Sequence, residues 1–466
     1  MPSSRADQTQ PAHHTEPRPT VALGGEPIDL LITAPWIVPI EPEGVVLERH
    51  ALAVRDGLIV DLLPAADARQ RYVASQIVDR PGHVLLPGLV NAHTHAAMNL
   101  LRGLADDLPL MTWLQEHIWP AEQANVSATF VEDGVMAACA EMLAGGITTF
   151  NDMYFFPEVA ARVVDQTGMR LVAGMILIDH PSPYATHADD YLAKGLALHD
   201  AWREHPRIST AFAPHAPYTV NGDMLKRVAT LAAELDLGVQ IHLHETADEV
   251  AQSLRETGLR PLQRLDQAGL LGPGLMAVHM TQLSDDDIAR AASSGLSVIH
   301  CPESNLKLAS GFCPVQRLLD AGVPLAIGTD GAASNNDLDL FGEMRTAALI
   351  GKCVAGDAAA LPAEQVLHMA TLGGARALGL DAHIGSLRPG KAADLIAVDL
   401  SGLAAQPVYH PISHLVYATG RHQVSDTWVA GRRLLADGTL TTLDRALIRT
   451  RLAEWAQRLQ PDAGPL

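Results

Sequence analysis

One rhythm constrains the fold of this chain more than any other feature: a short apolar run, a loop and an amphipathic stretch, repeated. The runs are PGLVNAH (87–93), GITTFND (146–152), RLVAGMIL (170–177), ISTAFAP (208–214), VQIHLH (239–244), LMAVHM (275–280), LSVIHC (296–301) and PLAIGTD (324–330). Each has the length and nearly continuous apolar character of a strand buried on both faces. Between them, NGDMLKRVATLAAELD (221–236) and SDDDIARAASSG (284–295) have helical spacing. Asn221 and Ser284 sit where N-caps belong, and Gly238 and Gly295 where helices should stop. Eight alternating strand–helix units predict a closed (β/α)8 TIM-type barrel. A doubly wound open sheet is the competing architecture, but no G-x-G-x-x-G follows the first strand.

The flanks have a different texture. LLITAPWIVP (30–39), HALAVRDGLIVDLL (50–63) and QIVDRPGHVLLP (76–87) read as strands of an antiparallel sheet, with turns at Asp56-Gly57 and Pro81-Gly82. SLRPGKAADLIAVDL (386–400) and VSDTWVAGRRLLADG (424–438) answer them from the other end. The expectation is a small β-sandwich domain made by both chain ends, residues 28–86 and 387–466, the latter including a C-terminal helix. It flanks a barrel over 87–386, behind a loose polar tail over 1–27 in which His13 and His14 read as solvated.

Composition excludes several function classes. Against 33 basic side chains stand 53 acidic ones, a formal net charge of −20. A nucleic-acid surface needs clustered Lys and Arg, and so does a patch for anionic lipid, so neither partner is expected. No apolar run approaches the roughly 20 residues of a membrane span, and the N-terminus lacks the apolar core of a secretory signal. Four cysteines (Cys139, Cys301, Cys313, Cys353) without a C-x-x-C pair fit a reducing compartment, here the cytoplasm.

Metal-competent residues gather at the carboxyl ends of the expected strands. The first ends in His93-Thr94-His95, and the fourth runs into Pro214-His215-Ala216-Pro217. The fifth carries His242, His244 and Glu245, the sixth ends at His279, and the eighth ends in Gly328-Thr329-Asp330. In a closed barrel these ends converge on one mouth. A lone strand histidine is more often a hydrogen-bonded core residue, but so many ligand types at one end of the strands are hard to assign to packing. His93, His95, Asp330 and either His242 or His244 would supply three imidazoles and a carboxylate, a set suited to Zn²⁺ or Fe²⁺. Period-2 spacing does not choose between His242 and His244. A second metal would want a bridging lysine on the fourth strand; ISTAFAP has none, and Lys194 and Lys226 lie in helical stretches, so one divalent metal is expected. Such a metal lowers the pKa of bound water towards neutrality. Asp330 is then placed to take the water's proton, Glu245 to protonate a ring nitrogen, and His279 to orient the hydroxide or stabilise an oxyanion. The set predicts hydrolytic attack on an sp² carbon. A non-catalytic scaffold would be expected to have lost ligands, and all are present.

Several neighbouring residues read more plainly. Asp152 ends the second strand and orients a neighbour. Glu303-Ser304-Asn305 reads as a loop over the site, with Asn305 either touching it or serving the turn. Of Met98, Leu100 and Leu101, at least two read as core.

The segments PGLVNAHTHAAMNLLRGLADDLPLMTWL, HLHET, CPESNLKLASG and GTDGAASNNDLDL resemble the amidohydrolase superfamily. More narrowly they resemble its methylthioadenosine/S-adenosylhomocysteine deaminase branch, whose neighbours include guanine and cytosine deaminases and chlorotriazine hydrolases. PGKAADLIAVD resembles the family's return to its small β domain, and the likeness runs from about residue 28 to 440. It implies His93, His95, His242 and Asp330 as ligands of zinc (iron being the alternative), with His242 preferred over His244 by the H-x-x-E spacing. It implies Glu245 as the proton-shuttling substrate contact and His279 as the catalytic histidine. His215, Trp113 and Glu122 correspond to substrate contacts, the glutamate through the ribose hydroxyls. The implied reaction is deamination of a small adenine nucleoside by a homo-oligomer, dimer or tetramer. Branch members that take S-adenosylhomocysteine use arginines between the third and fourth strands. Here that segment is IDHPSPYATHADDYLAKG, with Lys194 its only cation, which favours methylthioadenosine. Guanine, cytosine and s-triazines are the alternative substrates.

Overall fold

The computed structural model describes residues 25–460. Of the tail expected over 1–27, residues 1–24 with His13 and His14 lie outside the described residues, while Glu26 and Pro27 already open a strand, Glu26–Ile37.

The barrel strands are Leu89–Thr94, Ile147–Asp152, Arg170–Leu177, Ile208–Pro214, Val239–Leu243, Leu275–His279, Ser297–His300 and Leu325–Ile327. They pair in sequence order to form an eight-stranded sheet, every neighbour parallel. Nearly all of their residues are buried, because helices cover one face and the barrel interior fills the other. Inside, Ala92, Val172, Ala211, Met276, Val278, Ile299, Cys301 and Ala326 pack together.

The first and eighth strands meet through a seam of mixed bonds. His93 O accepts the Asp330 N–H at 3.1 Å, and Asn91 Oδ1 accepts the Thr329 N–H at 3.0 Å. The approach needs glycine at 328, where a Cβ would lie 2.8 Å from both the backbone nitrogen and oxygen of His93.

Caps delimit the helices largely as expected. Asn221 accepts from the N–H groups of Asp223 and Met224 and starts Gly222–Leu235; Ser284 starts Asp285–Ser294, which stops at Gly295. The first of these helices stops earlier than Gly238. Asp236 itself takes the left-handed conformation, φ 54°, which Asp tolerates better than most residues. Glu303, Ser304 and Asn305, expected as a loop, form a short helix, Pro302–Lys307, that Pro302 opens.

The second sheet has nine strands. Along its path lie Thr439–Leu440, Arg432–Ala436, Val424–Val429, Leu395–Asp399, His83–Pro87, Glu26–Ile37, Leu47–Arg55 and Leu58–Pro64, with Tyr72–Asp79 paired to Glu26–Ile37. Both chain ends build it, as expected, and they join where Leu86 faces Ile396. It is mixed rather than wholly antiparallel, because Glu26–Ile37 runs parallel to Tyr72–Asp79 and to His83–Pro87. The C-terminal helix, Arg445–Leu459, packs on the barrel helix Ala128–Ala144 rather than on this sheet; Trp455 Nε1 donates to Asp133 Oδ2 at 2.8 Å and its ring meets Phe130 edge-on. Arg170, at the start of the third barrel strand, grips Asp394 with Nε and Nη2 and ties the barrel to the sheet. Among the described residues, no helix is long and apolar enough to cross a membrane.

Candidate active site

Strand geometry brings four side chains to one point. His93 lies on the first strand, His95 just beyond it, His242 on the fifth, and Asp330 past the end of the eighth. One atom from each lies within 4.8 Å of all the others. His93 Nε2 is 3.1 Å from His242 Nε2, which is 3.3 Å from His95 Nε2, which is 3.0 Å from Asp330 Oδ1.

The other ring nitrogens explain what these close atoms are. His93 Nδ1 faces Gln240 Oε1, His95 Nδ1 faces Met153 O, and His242 Nδ1 faces His215 O. All three partners are oxygens that only accept, so each Nδ1 carries the proton and each Nε2 offers a lone pair. Asp330 Oδ1 is buried without a hydrogen-bond donor, although two imidazole nitrogens lie within reach. Three nitrogen lone pairs and a carboxylate oxygen crowded together in the dark repel one another unless a cation sits between them. The donor set therefore fits a divalent metal of the zinc type.

The electrostatics agree. Burial lowers the proton affinity of His93, to about 4. At His95 burial works the same way, but the Asp330 carboxylate outweighs it and lifts the group to about 9. The pocket thus favours positive charge beside Asp330, which a divalent cation would supply. Asp330 Oδ2 faces away and accepts from Ser304 Oγ at 2.7 Å and Ser334 Oγ at 2.6 Å, which turns Oδ1 inward.

The backbone at the carboxyl ends of the strands leaves extended geometry. His244, His279 and Asp330 have φ of 52°, 77° and 59°, left-handed backbone that a non-glycine residue holds only when its surroundings over-determine it. At His244 the surroundings are visible. Its N–H donates to Glu249 Oε1 at 3.0 Å, its Nδ1 meets Gln282 O, and its Nε2 accepts the Leu262 N–H. His244 thus points away from the other imidazoles and holds loops together. The turn swings Glu245 into the mouth, where Glu249 Oε2 accepts the Glu245 N–H at 2.6 Å. Burial, and after it the charge of Asp330, push the Glu245 carboxyl up to about 8, so it holds a proton at neutral pH. His279 Nε2 lies 3.9 Å from Glu245 Oε2, while its Nδ1 donates to Asn305 Oδ1 at 2.8 Å. Burial keeps His279 neutral.

A cavity of about 490 Å³ opens over this cluster. Trp113, Glu122 and His215 all line it, together with Met98 and the segment His180–Pro183. Trp113 lies in a stretch of π-helix, Trp113–Ile118, and its Nε1–H is buried with no partner. Glu122 follows on the helix Trp119–Asn125, accepts from Tyr154 Oη, and is pushed up to about 7 by burial. Leu100 and Leu101 pack into the core instead. Lys194 is turned away from the cavity, its Nζ bonded to Tyr184 O and Asp190. No Lys or Arg lines the cavity among the described residues.

Sequence reasoning missed Tyr154, Gln240, Glu249 and Ser334, and it placed Ser304 over the site without seeing its bond to Asp330. Only Glu249 had a local signal: Thr246-x-x-Glu249 is a capping-box spacing, and Thr246 Oγ1 indeed accepts the Glu249 N–H. Asn305, left between site and turn, holds His279, and Asp152 Oδ1 accepts the Ala96 N–H beside His95.

Comparison with known proteins places this geometry among relatives. The amidohydrolase family model matches residues 84–434. A protein of Saccharophagus degradans named 5-methylthioadenosine/S-adenosylhomocysteine deaminase is 49% identical over 434 residues, 93% of this chain and 97% of that one. One of the same name from Teredinibacter turnerae is 50% identical over 432 residues, 93% of this chain and 98% of that one. A crystal structure of an adenosine deaminase from Xanthomonas campestris with bound zinc superposes with a TM-score of 0.93 at 56% identity, covering 94% of this chain and 100% of that one.

Proposed function

The chain belongs to the amidohydrolase family, and from that premise we propose that it deaminates 5′-methylthioadenosine to methylthioinosine and ammonia, with S-adenosylhomocysteine a poorer substrate. His93, His95, His242 and Asp330 would hold one divalent metal, zinc by our reading of the nitrogen-rich donor set. When bound, that metal supplies a water acidic enough to lose a proton near neutral pH.

The chain's own groups divide the remaining work. Asp330 takes the proton of the attacking water. His279, neutral and with its Nδ1 proton given to Asn305, presents Nε2 as an acceptor that aims the nucleophile at the purine C6. Glu245, protonated at neutral pH, donates to N1 as the C6–O bond forms. The C6–N bond then breaks, the amino group leaves as ammonia with the proton that Asp330 accepted, and the C6 hydroxyl gives its proton to the Glu245 carboxylate, which leaves C6=O and restores the acid. Glu122, held by Tyr154, would accept both hydroxyls of a ribose as a carboxylate; Trp113 Nε1–H and His215 offer further contacts.

The observation behind the choice of tail is the cavity wall. It is apolar along Leu110, Leu114, Ile118, Phe155 and Ile178, and among the described residues it offers no Lys or Arg to an amino-acid carboxylate. An uncharged thioether suits such a wall, while a buried carboxylate without a cation does not. Four cysteines that are all free support a cytoplasmic enzyme.

A panel of adenine nucleosides varied at the 5′ position tests this, read by ammonia release and by the ultraviolet change from adenine to hypoxanthine. Methylthioadenosine should exceed S-adenosylhomocysteine in kcat/KM by at least about tenfold, the worth of one lost charged hydrogen bond. A preference for S-adenosylhomocysteine would overturn the tail assignment. Turnover of guanine or a triazine without any adenosine derivative would overturn the substrate class.

A further inference from the structure

We propose that Gln240 and Asn151 form a buried amide pair that locks the proton of His93 on Nδ1 and thereby sets how tightly the centre holds its metal. The inference rests on the metal site proposed above. Gln240 lies on the fifth barrel strand and Asn151 on the second, both fully buried. Their side chains exchange hydrogen bonds: Asn151 Nδ2 donates to Gln240 Oε1 at 3.0 Å, and Gln240 Nε2 donates to Asn151 Oδ1 at 2.8 Å.

A reciprocal amide pair has two senses, and turning both groups over would restore the exchange. Two anchors remove that freedom. Gln240 Nε2 also donates to Asp152 O at 3.0 Å, and Asn151 Nδ2 to Ala92 O at 2.9 Å. Both anchors are backbone carbonyls, which only accept, so the reversed pair would set oxygen against oxygen at each end in a buried place. Gln240 Oε1 is therefore held towards His93 Nδ1, at 3.2 Å. An oxygen there requires the proton on Nδ1 and leaves Nε2 free to ligate. The reversed amide would offer N–H to Nδ1 and drive the proton onto Nε2, where the metal binds.

His93 is the exposed point of this logic. His95 and His242 meet backbone carbonyls, Met153 O and His215 O, which have no second sense. Only His93 depends on a side chain that could turn. The third strand shows that the fold makes room for it. A Cβ at Gly174 would lie 2.8 Å from Gln240 Nε2 and 2.3 Å from Asp152 O, so this glycine, otherwise a weakness in a strand, is what admits the pair. Neither amide touches reacting atoms; both act as positioning residues through His93.

Zinc affinity, measured on the full chain by competition with a chromogenic chelator, tests the proposal. Gln240→Met keeps the shape and removes the acceptor, and should weaken zinc binding by about 10–100-fold, the usual effect of losing an outer partner of a metal histidine. Gln240→Glu, protonated in this buried place, keeps an oxygen facing Nδ1 while its O–H replaces one of the Nε2 bonds, so zinc affinity should stay within about threefold of the parent, below that range. With cobalt(II) in the site, the visible absorption band should shift in the methionine variant and hold in the glutamate variant, which a general loss of packing would not do. Equal zinc affinity in parent and Gln240→Met, with an unchanged cobalt band, overturns the proposal. Should Gln240→Met fail to fold, Asn151→Ala replaces it: Gln240 then loses its reciprocal partner and keeps only the Asp152 O anchor, so zinc binding should weaken, by less than in Gln240→Met, and unchanged binding overturns the proposal. A parent chain that holds no zinc or cobalt overturns the metal site itself, an outcome distinct from the others.

Discussion

Tyr154 Oη donates to Glu122 Oε1 across 2.7 Å, joining the loop after the second barrel strand to the helix Trp119–Asn125 on the far wall of the cavity. The bond takes one lone pair of Oε1 and leaves the other, together with Oε2, to receive a diol. Glu122→Ala should therefore lower kcat/KM for nucleosides by about 10–100-fold, the worth of one or two hydrogen bonds to a charged group. Free bases should be affected much less. Tyr154→Phe should show the same discrimination at about tenfold or below. An equal loss on bases and nucleosides would separate Glu122 from ribose recognition.

Two carboxyls with raised proton affinity predict the pH profile. Glu245 must be protonated to donate; burial, then Asp330, hold it up at about 8, so activity should fall as pH rises through that value. Glu122 must be ionised to accept from a diol; burial holds it up at about 7, so kcat/KM should also fall as pH drops through that value. A bell between the two is expected for nucleosides. Glu122→Gln should remove its acidic limb and leave the alkaline one, and an acidic limb that persists would assign it to another group.

The two histidines of H-L-H-E-T should behave differently. His242→Ala removes one of the three Nε2 lone pairs and should cost both bound metal and activity. His244→Ala removes bonds to Gln282 O and the Leu262 N–H, so it should lower stability by about 1–3 kcal/mol for the buried groups left unpaired, with metal still bound. Metal content by mass spectrometry alongside thermal unfolding checks this. Loss of metal in His244→Ala with retention in His242→Ala would reverse the assignment.

Arg170 and Asp394 form a buried pair with two parallel hydrogen bonds, and Asp394 also accepts the Ala430 N–H. Arg170→Ala strands the carboxylate between barrel and sheet. The expected cost is about 3–5 kcal/mol, read by denaturant unfolding. A loss below about 1 kcal/mol, the range of exposed pairs, would show that the carboxylate is solvated after all.

Much of this was legible in the sequence because a parallel barrel strand is buried on both faces and writes itself as an unbroken apolar run. The same fact made His93, His95, His242 and Asp330 stand out at the ends of such runs. The contest between His242 and His244 was not legible by spacing, because period-2 reasoning assumes extended backbone and His244 has left it, with φ 52°. The helix that ended at Asp236 instead of Gly238 shows the same limit, since a residue that tolerates the left-handed region pre-empts the glycine. Partners such as Tyr154, Gln240 and Ser334 gave no signal because their meaning lies in which distant segments the barrel brings together. Nothing near Asn151 says that it will face Gln240.

The joint between the two chain ends has a consequence for synthesis on the ribosome. Strand His83–Pro87 is made early, yet one of its edges is closed only by Leu395–Asp399, with Leu86 against Ile396. Every barrel strand is translated between those two partners. The nascent chain therefore displays an unpaired, apolar strand edge throughout the making of the catalytic barrel, and unpaired edges template aggregation. Release of the last strands from the exit tunnel, rather than completion of the barrel, is the event that seals the molecule.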